Sequence, residues 1–102
     1  MRLLGLKLYE LKKGIYEKDD ELNDILVGYE QVGMIQASIQ PCRGIVKAQL
    51  YGEEITQYLS VMMYPNVLVE EGLFIEYEGI HYKIQPISKW RHWSFDMKAV
   101  VE

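Results

Sequence analysis

The most constraining feature of this chain is the run Leu73-Phe74-Ile75-Glu76-Tyr77-Glu78-Gly79-Ile80-His81-Tyr82-Lys83-Ile84. Apolar and polar residues alternate with period two on both sides of Glu78-Gly79. That dipeptide can form a two-residue turn because glycine accepts the positive φ such turns demand. The turn fixes the register, with Tyr77 opposite Ile80, Ile75 opposite Tyr82 and Leu73 opposite Ile84. Every one of these apolar residues then falls on one side of the hairpin. Glu76, His81 and Lys83 collect on the other side, where Phe74 is the exception. A slip of one residue would scatter the pattern, so the run predicts a hairpin with one buried face.

The same period recurs along the chain. Ile35, Ala37 and Ile39 alternate with Gln36, Ser38 and Gln40 until Pro41 ends the ladder by removing a donor. Between Ile55 and Tyr64 both faces are apolar or aromatic: Leu59, Val61 and Met63 on one, Tyr58, Met62 and Tyr64 on the other. Such a strand is central or lies at an interface. Phe95, Met97, Ala99 and Val101 alternate with Asp96 and Lys98 in a last strand with one wet face, and Trp90 to Trp93 reads as a connection after Pro86. Leu3 to Leu11 alternates weakly and can form an edge strand. Lys12 to Asp24 carries Lys12, Lys13, Glu17, Lys18, Asp19, Asp20, Glu21 and Asp24, and this density of charge predicts a long, mobile loop after the first strand. Gly44 to Glu54 is where helix competes, since Val46 and Leu50 share a face at i, i+4. The sum is a mainly β chain, a small antiparallel barrel of about six strands with one short α-helix.

Size and composition restrict what such a barrel can be. At 102 residues the chain is one domain, 1–102, that buries roughly 65% of its extended surface. Hydrophobic residues make up 49% of it, so it folds, and no apolar run reaches the ~20 residues of a membrane helix. Met1-Arg2-Leu3-Leu4-Gly5-Leu6-Lys7 has neither the apolar core nor the cleavage site of a signal peptide, so secretion is not expected. Cys42 is the single cysteine, consistent with a reducing interior. A net charge of −4 gives no general attraction to phosphate.

The chemistry-bearing residues are few. His81 and His92 have no local signature linking them to Cys42 or Ser60, so a nucleophile with a positioned base is not expected and the chain reads as no enzyme. Asp19, Asp20, Glu21 and Asp24 lack the alternation and mid-loop glycine of a calcium loop and read as a solvated run. Zinc is poorer still, and Gly28, Gly33 and Gly44 make no phosphate loop, so no cofactor is expected. Lys89-Trp90-Arg91-His92-Trp93 interleaves cations with aromatic faces, as in surfaces that stack single-stranded bases. Alternatively, Arg91 sits on Trp90 or Trp93 as a cation–π pair. The surplus of large apolar side chains, with eight tyrosines and five methionines, points to protein contacts through Tyr58, Met62, Tyr64, Trp90, Arg91 and Trp93.

Four segments in order, Gln36-Ala37-Ser38-Ile39-Gln40-Pro41, Ala48-Gln49-Leu50-Tyr51-Gly52, Leu59-Ser60-Val61-Met62-Met63-Tyr64 and the Ile75 to Ile84 hairpin, resemble the head-closure or stopper family of tailed bacteriophages. The resemblance covers about two-thirds of the chain, and its most specific element is the hairpin. It implies a non-enzymatic virion component, made in the host cytoplasm and placed at the head-tail interface. Such a homo-oligomer, dodecameric by this resemblance, forms a ring below the portal and adaptor, retains packaged double-stranded DNA without reading its sequence, and offers a docking surface to a tail-side joining or terminator protein. Lys12 to Asp24 would then reach the lumen or a neighbouring ring. No membrane partner is implied. A tail-completion or terminator protein of the same particle is the first alternative, a single-strand-binding barrel using Trp90 and Trp93 the second, and a hydrolase using Cys42 the third.

Overall fold

The computed structural model describes residues 5–41, 49–52 and 57–100. Seven strands follow in order: β1 (Lys7–Lys18), β2 (Asp24–Pro41), β3 (Tyr58–Met63), β4 (Phe74–Tyr77), β5 (Ile80–Ile84), β6 (Ser88–Lys89) and β7 (Trp93–Ala99). All pair antiparallel, in the order β3-β2-β1-β4-β5-β7-β6, and a further β3–β7 ladder closes the sheet into a barrel. The two-residue β6 pairs with the start of β7, while β5 pairs with its end. A helical turn occupies 49–51, the described part of the helix expected over Gly44 to Glu54.

Alternation builds the interior. Leu11, Ile35, Ala37, Val61, Met63, Ile75, Ile84, Phe95 and Met97 point inward from six strands, with Tyr9, Ile39, Leu59, Tyr77, Tyr82 and Trp93 packed around them. Val69 joins this cluster from the β3–β4 connection. There the Asn66 side chain accepts the Leu68 amide at 2.9 Å and the Asn66 carbonyl accepts the Val69 amide at 3.0 Å, which turns the chain over the barrel. Each fully buried aliphatic contributes roughly 1.5–3 kcal/mol relative to exposure.

The β4–β5 hairpin has the predicted register, Tyr77 opposite Ile80 and Ile75 opposite Tyr82. The Ile84 amide bonds the Leu73 carbonyl at 2.8 Å, which extends the pairing. Glu78 (φ 52°) and Gly79 (φ 80°) both have positive φ, the signature of a type I′ turn.

The N-terminal half differs from expectation. Lys12 to Asp24 is not a long loop, because β1 runs for 12 residues to Lys18 and β2 begins at Asp24, leaving only 19–23 as the turn. A hairpin arm standing clear of a core has two wet faces, so charge density does not exclude a strand there. The charges instead pair across it, Lys13 with Glu30 at 3.1 Å and Lys18 with Asp24 at 2.8 Å. Nor is β1 an edge strand, since at Leu11 it pairs both with β2 and with β4. The Leu3 end of the strand expected from sequence lies outside the described residues, as do Ile55, Val101, and Cys42 with most of Gly44 to Glu54.

Two register shifts, at Leu11/Lys12 and Ile15/Tyr16, leave Val32 and Val27 as extra residues on β2 and bend the hairpin. Projecting from the barrel, it accounts for a longest dimension of 50 Å against 32 and 24 Å. Two smaller corrections concern the C-terminal part. Trp93 opens β7 and does not belong to the connection. The outer face of β7 is not wet throughout, because Asp96 is only 9% exposed.

Candidate interaction surfaces

Phe74, the exception in the hairpin pattern, is fully buried although it points out of the barrel. The reason is the β1–β2 hairpin, which folds one flank over it. Tyr29 meets Phe74 edge-on at 5.0 Å and lies flat on His81, with ring centroids 3.7 Å apart and planes 2° from parallel. Gly14 sits opposite Tyr29, and a Cβ there would come within 2.8 Å of Tyr16, 2.9 Å of Leu26 and 3.0 Å of Phe74. Close approach explains this glycine. Beside the aromatic stack, Lys12, 17% exposed in its side chain, donates to His81 Nε2 at 3.3 Å and lies 3.5 Å from both Glu10 and Glu76. Hydrogen bonding with the Glu10 carboxyl, then the Lys12 ammonium, holds the Glu76 carboxyl below its ordinary value of 4.5. On the inner side, burial raises the Tyr9 and Tyr82 hydroxyls above their ordinary 10.0, with Tyr77 and Glu78 adding to the shift.

Beyond this clamp the hairpin is open to solvent. Its other flank exposes Ile15 and Ile25, and Val27 stands at the second bulge. At the tip the Asp19 carboxylate accepts the Glu21 and Asn23 amides at 2.9 and 2.8 Å. Leu22, at φ 63°, is 76% exposed there among Asp19, Asp20 and Glu21.

A second surface surrounds the β6–β7 turn. Trp90 is 81% exposed and Arg91 is exposed beside it. The cation over an indole is Lys89, 4.7 Å from the Trp93 ring, and not Arg91 as the sequence suggested; strand pairing of Lys89 with Trp93 puts these two side by side. His92 meets Tyr64 edge-on at 5.2 Å. Tyr64 lines a groove of about 290 Å³ with Leu8, Met34, Gln36, Met63, Pro65 and Asn66.

The third feature is the covered stretch of β7. Asp96 accepts the Tyr51 hydroxyl and, at 3.1 Å, the Ser60 hydroxyl. Tyr51 stacks on Tyr58 at 3.7 Å, so the helical turn is fastened to the outer wall through these groups. Asp96 also lines a cleft of about 380 Å³ with Ser60, Ser88, Ser94 and Met62.

The structure thus separates the residues singled out from sequence. Lys13, Glu17, Lys18, Asp19, Asp20, Glu21 and Asp24 share the projecting hairpin, while Lys12 belongs to the clamp at its base. Trp90, Arg91 and Tyr64 lie at one end of the barrel, linked through His92. Tyr58 is engaged by Tyr51, and Trp93 packs against the core. Sequence reading overlooked Tyr29, Gly14, Leu22, Leu8 and Met34. Residues 14–17, Gly-Ile-Tyr-Glu, have no period-two pattern that would have placed the first arm. Among the described residues, no group of three or more His, Cys, Asp or Glu side chains could hold a metal ion, and no helix is long and apolar enough to cross a membrane.

The fold defines a class, a small closed antiparallel barrel with a long projecting hairpin and, among the described residues, one helical turn. No family model matches the chain, and no curated protein is significantly similar to it. Among solved structures it is similar to the solution structure of protein SF1141 from Shigella flexneri 2a. The TM-score is 0.67 at 13% identity, over 100% of this chain and 99% of that one. At this identity the likeness is one of fold.

Proposed function

We propose that the chain is a head-closure or head-tail connector subunit of a tailed phage or prophage, a non-enzymatic virion protein. It forms a ring below the portal and adaptor, retains packaged DNA and receives the tail. The observation that carries this reading is the β1–β2 hairpin. It stands clear of the barrel and exposes Ile15, Leu22, Ile25 and Val27, surface that an isolated subunit leaves in water and a neighbouring ring would cover. The order of the four sequence segments that resemble the stopper family supports the same reading. Between Lys12 and Asp24 there are three lysines and five acids. A hairpin so charged, facing a lumen, lets DNA slide, whereas a basic lining would grip phosphate by counterion release.

The test is reconstitution with the portal-side connector proteins, followed by cryo-electron microscopy of the product. A ring of this chain beneath the adaptor, and leakage of DNA from heads assembled without it, is the expected result. Density on the tail side of the junction, capping the head-proximal end of the tail, would instead favour the terminator role, and heads that retain DNA without the chain would overturn the proposal. Trp90 is the one observation that favours single-strand binding, because Lys89 occupies the Trp93 ring. Salt-sensitive binding of single-stranded DNA, abolished by Trp90→Ala, would move the function to that class.

A further inference from the structure

Two large apolar side chains on this molecule are exposed among charges of opposite sign. Leu22, 76% exposed, sits at the hairpin tip with Asp19, Asp20 and Glu21, and Trp90, 81% exposed, sits between Lys89 and Arg91. Neither covers the other within one chain, since both face solvent. We propose that the β6–β7 turn of one copy is the docking surface for the hairpin tip of a second copy, with Leu22 against Trp90 and the acids of the tip against Arg91. Glu70 and Glu71 line a cleft with Lys89, so Arg91 carries the charge complementarity.

Three features of the molecule select this occupant. Tryptophan and arginine are the side chains most often found at the energetic centre of protein contacts. Leucine at positive φ is an unfavourable choice for an exposed turn, where glycine or asparagine would relieve strain, and a contact that uses its side chain accounts for it. The groove opening at Tyr64, reached from the turn through His92, is lined by Leu8 and Met34 and gives apolar ground for the exposed flank of the incoming hairpin. A tip-to-turn contact is heterologous, leaving one copy of the pair with a free tip and the other with a free turn, so it propagates and closes into a ring when the rotation permits. The inference rests on the connector reading and names the surfaces its ring would use.

Disulfide trapping tests it. In a Cys42→Ser background, Leu22→Cys combined with Trp90→Cys is expected to give a ladder of cross-linked multimers under mild oxidation. The ladder should form about tenfold faster than with a control pair at the exposed positions Leu50 and Ile80. Mixing the two single-cysteine variants should yield a cross-linked dimer of one copy of each. Arg91→Glu should slow the linkage, and Glu21→Arg in the same chain should restore it. Linkage no faster than the control, or Arg91→Glu without effect, overturns the proposal. The two readings fail separately. Particles that hold a ring of this chain yet give no 22–90 linkage remove the docking surface alone, whereas 22–90 linkage in a chain with no affinity for portal-side proteins removes the connector reading alone.

Discussion

Gly14 has no room for a methyl group, because the rings of Tyr16 and Phe74 and the Leu26 side chain fill the space where Cβ would stand. Gly14→Ala should lower stability by about 1–3 kcal/mol through overpacking, measured by urea denaturation. At Glu78 the opposite is expected. A glutamate at φ 52° occupies the first position of a type I′ turn, which asparagine favours. Glu78→Asn should raise stability by about 0.5 kcal/mol, visible as a higher Tm. The titrating residues add a pH dependence with definite signs. Glu76 is held below 4.5 in the folded chain, so its contribution is fully present above that value and is lost as pH falls through the lowered one. Tyr9 and Tyr82 are raised above 10.0, so their contribution is complete below that value and is lost as pH rises through the raised ones. Stability followed by circular dichroism should therefore fall at both ends of the pH range.

Tyr29 couples the hairpin to the barrel through two aromatic contacts, edge-on to Phe74 and flat on His81, and Tyr29→Ala should release the arms while sparing the barrel. Hydrogen exchange would read this as lost protection in residues 12–31 with β3, β4, β5 and β7 unchanged. Equal loss everywhere would mean that the clamp is part of the main cooperative unit. Legibility in the sequence followed the same division. The β4–β5 hairpin, the end of β2 at Pro41 and the inner face of β3 were readable because one buried face forces period two on the chain. The distal arms of β1 and β2 were not, since nothing buries both their faces and their lysines and acids are spaced for partners across the hairpin. Asp96 looked like a solvent-facing residue because its cover, Tyr51, comes from an element 45 positions away. Of the surfaces, the Trp90 region was readable from composition. Leu22 was not, because an apolar residue within an acidic turn carries no periodic signal.

For the molecule as a whole, fold and assembly are expected to be separable. Replacing residues 16–27 by Asn-Gly should leave a folded barrel by circular dichroism, because Leu11, Ile35 and the other inward residues of the barrel lie outside the deleted stretch. The same variant should fail to incorporate into particles. A shortened chain that still assembles would show that the hairpin is dispensable. One consequence of the bent β2 strand concerns what the molecule avoids. Only Ser38 to Pro41 of β2 pair with β3, which leaves a long stretch of backbone on that side as a template for cross-β growth. Val27 and Val32 each interrupt it with an unmatched residue, so no extended regular segment is offered to a stacking strand. Concentrated solutions of the intact chain should therefore resist amyloid formation. Deleting Val27 and Val32 together should shorten the lag before thioflavin fluorescence rises.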